Sequence, residues 1–250
     1  MFAALNGLMR FGTAIVKYIA FVAGFVRRRK VLGDLRFQCA WKDRKPCLND
    51  RTAATGFDAH YVYHTAWAAR VLHRLSPGTH VDVGSCLRFA TMVSAFVPIE
   101  FYDYRAARLE LPGLKSGQAD VTRLPFEDEA IASLSCMHVV EHVGLERYGD
   151  AFDPQGDVKA MRELARVLAP GGYLLLVVPV GRVARIQYNA HRIYRAEQVV
   201  TGFSSLELLE FALVTDDGSF IAAADISLAD AQQYGCGCFL LRKPAVERIP

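Results

Sequence analysis

Three carboxylates stand where a short apolar stretch gives way to a loop. Asp82 opens Asp82-Val-Gly84-Ser85-Cys86-Leu-Arg88, Asp103 follows about 20 residues on, and Asp120 closes Ala119-Asp120-Val121. An acid at the end of a second strand can hold ribose hydroxyls, and one at the end of a third can accept from an adenine amine. Together the three outline a site shaped for an adenosine. A second group is His138-Val-Val-Glu141-His142. On a helix the two histidines of H-x-x-E-H would share one face and bind zinc, with the glutamate as general base. A third is the polar, glycine-bounded run 144–153, in which Arg147, Tyr148 and Asp150 are candidate substrate contacts. A fourth is the run 181–195, with Arg182, Arg185, Arg192 and Arg195 beside His191. Arginine forks suit carboxylate or phosphate, which makes Arg192 a candidate for an anionic substrate. His191, with an ordinary pKa near neutrality, is the first candidate general base, and His142 with Glu141 the second.

The elements that must position these groups alternate. Residues 61–75 read as a helix stopped by Ser76-Pro77-Gly78, and 80–84 as a buried strand followed by a helix to about Phe96. Strands are expected at 99–103, ending at 119–121, and at 132–139. Residues 157–168 form an amphipathic helix stopped by Pro170-Gly171-Gly172, and 173–178 (YLLLVV) is a run apolar enough for a central parallel strand. A helix at 205–211 and a terminal hairpin ending at 238–242 are expected to follow. Strands alternating with helices define a doubly wound, Rossmann-like α/β fold: a mostly parallel sheet with a terminal antiparallel hairpin. Since 133–139 reads as a strand, Glu141-His142 should open the next loop, and no metal is expected there.

The 250 residues, 52% hydrophobic and 22% charged, exclude a disordered or low-complexity chain. Six cysteines are too sparse for a disulfide scaffold and show no zinc-finger spacing; they read as reduced thiols of a cytoplasmic protein. Net charge is +3, but residues 1–45 carry +8 and the rest −5. A basic charge kept off the folded body argues against a nucleic-acid partner. Residues 1–30 read as an apolar helix with a thin polar stripe (Asn6, Arg10, Thr13, Lys17) and a polybasic end, Arg27 to Lys30. That pattern predicts an arm lying on an anionic membrane surface, with an α/β domain at 31–250. The uncharged run Tyr18–Val26 is shorter than the ~20 residues of a spanning helix.

Residues 80–179 resemble the class I S-adenosylmethionine-dependent methyltransferases, of the type 11 kind. The resemblance rests on VDVGS (81–85), QADVTRLPFEDEAIASLSCMHVVEHV (118–143) and ELARVLAPGGYLLLVVP (163–179). HVVEHVGLERYGD, with NAHRIY at 189–194, is similar to an offshoot of that fold with no established activity. The resemblance implies S-adenosylmethionine as cofactor, held by Asp82, Gly84, Ser85, Asp103, Asp120, Val121 and His138. It implies methyl transfer to an O or N acceptor, a small molecule that is anionic or lipid- or glycan-linked. One departure stands out. The family's first motif is D-x-G-x-G-x-G, and only Gly84 is retained, with Cys86 and Arg88 at the second and third glycine positions. Cofactor binding therefore requires Arg88 to point away from the pocket. The alternatives are a catalytically degenerate member of the fold serving as a membrane-tethered binding module, and a zinc hydrolase built on H-x-x-E-H.

Overall fold

A computed structural model describes residues 2–33 and 37–245, with side chains described for 12–32 and 37–245. The chain forms two compact units, Met1–Phe57 and Asp58–Pro250.

In the first unit, helix α1 spans Phe2–Gly33. Trp41, in a short 3-10 turn, packs edge-on against Phe25 at 5.0 Å and lies 6.3 Å from Phe21. Lys17 Nζ donates to Asn49 Oδ1 at 2.9 Å. Ile15, Val16, Ile19, Val26 and Val31 remain exposed. Arg27 to Lys30 are exposed as well. Of the polar stripe, the side chains of Asn6 and Arg10 lie outside the described residues. Among the described residues, no helix is long and apolar enough to cross a membrane.

The second unit opens with α2 (Ala59–Leu75). Asp58 caps it, its Oδ1 accepting from Tyr61 N at 3.2 Å, and Ser76 ends it in the left-handed conformation at φ 47°. Then follow β1 (His80–Val83), α3 (Leu87–Val93), β2 (Ile99–Asp103), β3 (Leu114–Gln118) and β4 (Ile131–Met137). Next come α4 (Gly156–Val167), β5 (Leu168–Val180), β6 (Arg185–Gln187), β7 (His191–Ile193) and α5 (Ala196–Gly202). The chain closes with β8 (Glu207–Val214), β9 (Phe220–Ile221) and β10 (Gly235–Arg242). The large sheet runs β3-β2-β1-β4-β5-β10-β8-β9. Its first five strands are parallel, and β10 lies antiparallel between β5 and β8.

The period of two along β5 buries both faces. Leu174, Leu176 and Val178 pack with Ala160, Met161 and Leu164 of α4 and Val199 of α5. Leu175 and Val177 pack with Trp67, Val71 and Leu72 of α2 and Phe89 and Val93 of α3. This is the doubly wound α/β architecture expected, with its antiparallel strands at one edge.

Three local expectations differ. The helix expected at 205–211 is instead the start of β8. The segment Leu-Glu-Leu-Leu-Glu-Phe suits a period of 3.6 as well as one of two, and the ladder with β10 (Phe211 opposite Phe239, Ala212 opposite Cys238) decides for the strand. Glu210 then reaches α2, accepting from Trp67 Nε1 at 2.9 Å and from Arg74 at 2.6 Å. Helix α3 ends at Val93 rather than near Phe96, and β3 ends two residues before Asp120.

Candidate functional site

The carboxyl ends of four parallel strands open on one cavity of about 450 Å³. Val83, Gly84, Ser85 and Cys86 line it after β1, and Asp103, Tyr104 and Arg105 after β2. Ala119 to Thr122 line it after β3, and Met137, His138 and Val139 after β4. That is where doubly wound sheets bind ligands, and the volume falls in the ~300–1,000 Å³ range of small-molecule sites.

Gly84 turns the chain out of β1 at φ +70°, where a Cβ would press on the Val139 side chain. Ser85 supports the turn from below, its Oγ accepting from Met137 N at 3.0 Å. Asp103 Oδ1 accepts from Arg105 N at 2.7 Å. Asp120 Oδ1 accepts from Thr122 N at 2.8 Å and Thr122 Oγ1 at 2.7 Å. Each carboxylate thus spends one oxygen on its own loop. Among the described residues the second oxygen of each has no partner, and both residues line the cavity. Val121, buried, lies beside Asp120 on the same wall. Cys86 also faces the cavity, whereas Arg88 is exposed on α3 and takes no part in the lining.

Asp82 does not reach the cavity. It is fully buried under the turn, accepting from Ser85 N at 3.1 Å and from the Ser135 hydroxyl. Burial pushes its pKa up to about 6. Its role is to hold the first turn, because a strand residue between Val81 and Val83 has only the sheet interior to point into.

A second cavity of about 300 Å³ adjoins the first and shares Tyr61, His138 and His142 with it. H-x-x-E-H does not form a helical pair. His138 sits at φ +57° just past β4, and residues 140–142 make one 3-10 turn. Glu141 is buried, its Oε1 2.8 Å from His138 Nδ1 and 3.8 Å from His142 Nε2. His142 Nδ1 donates to Ala190 O at 2.8 Å, which leaves Nε2 as the ring's lone pair. Burial lowers the His142 pKa, with Glu141 opposing, so the imidazole is neutral at neutral pH. For His138, burial pulls the pKa down, and the Cys236 sulfur and Glu141 carboxylate push it up and prevail.

His191 lies in the second cavity only, stacked on Tyr234 with ring centroids 5.2 Å apart, and burial lowers its pKa. Arg192 is absent from the linings of both cavities. It is buried, pairs with Asp157 at 3.5 Å and donates to Val143 O at 2.7 Å, bracing the loop from beneath. Asp150 lines the first cavity, but its two oxygens accept from Gly144 N at 2.7 Å and Tyr148 N at 3.2 Å, so it shapes the loop. Tyr148 lines the first cavity between two guanidinium groups, Arg105 at 4.8 Å and Arg147 at 5.1 Å from its ring. Arg147 itself donates to Ala190 O at 2.7 Å.

Four site residues escaped the sequence reading: His60 and Tyr61 in the first turn of α2, Tyr234, and Cys236 in β10. Tyr61 stacks on His138 at 5.3 Å, and burial, aided by Glu141, raises its pKa to about 12. The spacing His60-x-x-x-His64 was the one available signal, since it marks a single helix face.

Residues 126–234 match a family model described as "Caenorhabditis protein of unknown function, DUF268". No curated protein matches the chain. Among solved structures, the YcgJ protein from Bacillus subtilis is 15% identical with a TM-score of 0.51, over 73% of this chain and 99% of that one. The Burkholderia thailandensis 1,6-didemethyltoxoflavin-N1-methyltransferase, solved with 1,6-didemethyltoxoflavin and S-adenosylhomocysteine, is 10% identical with a TM-score of 0.50, over 77% and 93%. The fold of this chain is that of the class I methyltransferases.

Proposed function

We propose that residues 58–250 bind S-adenosylmethionine in the larger cavity and transfer its methyl group to an O or N acceptor. The observation that carries this reading is the pair Asp103 and Asp120, which line a cavity at the strand ends, each with one carboxylate oxygen unpartnered among the described residues. The residues present fit the cofactor: Asp103 for the ribose hydroxyls, Asp120 and Val121 for the adenine, and Gly84 and Ser85 against the methionine half. Arg88, exposed and outside the cavity lining, supports an open methionine half despite the lost glycines.

Bound S-adenosylmethionine supplies a methyl group already activated on a sulfonium. The protein then has two tasks, to position the acceptor and to remove its proton. His142 suits the second. Its ring lines both cavities with the lone pair on Nε2, and Glu141 Oε1 at 3.8 Å stabilises the imidazolium that forms. His191 lines the second cavity with its ring centroid 6.0 Å from that of His142, which suits taking the proton onward more than starting the step. Tyr148, Arg105 and Arg147 give the acceptor side an aromatic face flanked by positive charge, which suits a small anionic acceptor.

Isothermal titration with S-adenosylhomocysteine tests the reading. Saturable one-site binding supports it; no binding at millimolar ligand favours the degenerate, non-catalytic alternative.

The first unit supports a second element of the function: attachment of a cytoplasmic protein to an anionic membrane surface. Its exposed Ile15, Val16, Ile19 and Val26 run into the basic cluster Arg27 to Lys30, the pairing of apolar face and charge that interfacial helices use. The full chain should sediment with vesicles containing phosphatidylserine, and a chain lacking residues 1–33 should not. Equal sedimentation of the two would remove the idea.

A further inference from the structure

Behind the candidate base, three ligand-type side chains from distant parts of the chain meet. His60 comes from the first turn of α2, His138 from the end of β4 and Cys236 from β10. One ligand atom from each lies within 4.8 Å of the others. We propose that His60, His138 and Cys236 bind a zinc ion. The site shares His138 with H-x-x-E-H but takes its other two ligands from α2 and β10, and it does not require that the larger cavity bind S-adenosylmethionine.

Four observations carry it. First, His138 Nε2 and Cys236 Sγ are 3.5 Å apart. With Zn–S near 2.3 Å and Zn–N near 2.0–2.1 Å, the edge between S and N of a tetrahedral site is about 3.6 Å. The pair is already spaced as two ligands of one ion.

Second, His138 is oriented as metal-binding histidines are. Its Nδ1 faces the buried Glu141 carboxylate at 2.8 Å. A carboxylate behind one ring nitrogen fixes the tautomer and leaves the other nitrogen free for the metal.

Third, the surrounding core has more acceptors than donors. His64 Nδ1 donates to His60 O at 2.7 Å, so its buried Nε2 is a lone pair, and that atom has no partner among the described residues. The same holds for buried Glu141 Oε2. Buried polar atoms without partners are rare, and surplus acceptors in one place are what a cation or its bound water relieves.

Fourth, there is a way in. His60 and His138 line the smaller cavity, and His60 is only partly buried, while Cys236 is fully buried.

Two imidazoles and a thiolate favour zinc over the hard cations magnesium and calcium. Binding converts the Cys236 thiol to a thiolate and displaces the proton held on His138 Nε2, both protons passing to solvent. Three protein ligands leave a fourth position for water or for an acceptor atom, the pattern of catalytic rather than structural zinc.

The test uses the full chain, stripped with chelator and reloaded with zinc or with cobalt. The expected result is one zinc per chain by atomic emission. Cobalt should give the visible spectrum of tetrahedral coordination and a thiolate-to-metal charge-transfer band in the near ultraviolet. Cys236→Ser should abolish that band, and His60→Ala should weaken zinc at least tenfold. Glu141→Gln, which removes the charge behind His138 and beside His142, should weaken zinc by about 10–100-fold. Cys39→Ser and Cys47→Ser should change nothing. Because Cys236 is buried and its replacement could disturb folding, the partly exposed His60→Ala, checked by far-UV circular dichroism, is the decisive variant. Wild-type protein that retains no zinc after reloading, or a folded His60→Ala with unchanged zinc affinity, would overturn the proposal. A charge-transfer band that survives Cys236→Ser would do the same. Titration with S-adenosylhomocysteine on the stripped protein keeps this outcome distinct from the cofactor reading.

Discussion

Replacing Asp103 with alanine probes the cofactor reading at its strongest point. Asp103 lines the cavity; its Oδ1 is committed to Arg105 N at 2.7 Å, and its second oxygen has no partner among the described residues. The alanine variant removes both. The first loss falls on an exposed loop, where water takes over the Arg105 amide, so the melting temperature should move little. The second loss falls on the ligand. A hydrogen bond to a charged group contributes about 1.5–3 kcal/mol, which corresponds to a roughly 10–150-fold rise in the Kd for S-adenosylhomocysteine. Asp103→Asn should fall between wild type and alanine. It keeps the carbonyl oxygen for Arg105 and a polar group toward the ribose but loses the charge. Calorimetric titration of the three proteins at one salt concentration measures the series. An alanine variant that binds as tightly as wild type would refute the assignment of the second strand end to the ribose, whatever else binds in the cavity.

Cys86→Gly combined with Arg88→Gly restores the glycine pattern of the family. Because Arg88 is already outside the lining, affinity for S-adenosylhomocysteine should change by less than tenfold, and a gain from no binding to micromolar binding would show that the natural loop blocks the site. Gly144→Ala should weaken the same binding and lower the melting temperature, since Gly144 sits at φ +78° and a Cβ there would collide with Asp153 O; a variant with wild-type melting and binding would contradict this. His80 is fully buried, bonded at 2.8 Å to both Ser133 Oγ and Ser135 Oγ, and burial lowers its pKa to about 3. Between that value and the unfolded value of about 6.5 only the unfolded chain takes up the proton, so the stability is present above 6.5 and lost as pH falls. From pH 7.5 to pH 5, urea denaturation should show wild type losing about 2 kcal/mol more than His80→Gln, and parallel pH profiles for the two would sink the argument.

Much of the architecture was legible in the chain itself. The apolar run of β5 could only be a strand covered on both faces, and the alternation of strands and helices around it dictated a doubly wound sheet. Turn chemistry marked the ends of its elements: the cap at Asp58 escaped notice, but Ser76 to Gly78 and Gly84 did not. Asp103 and Asp120 were legible for the same reason, since a residue just past a parallel strand faces the ligand edge whatever its neighbours do. Local pattern failed where two periods fitted equally, as in 205–211, where pairing with β10 chose the strand. It also failed to separate acids and arginines that face a ligand from those that hold the frame. Asp82 and Arg192 carry the right chemistry, but the sheet interior and Asp157 claim them. The histidine–cysteine group lay furthest from reach. His138 and Cys236 are 98 residues apart and His60 lies on another element, and nothing in their local sequence marks them as neighbours. Only the order of strands, with β10 laid against β5 beside β4, carries those side chains to one point. Proximity of that kind is a property of the assembled sheet, and no local spacing encodes it.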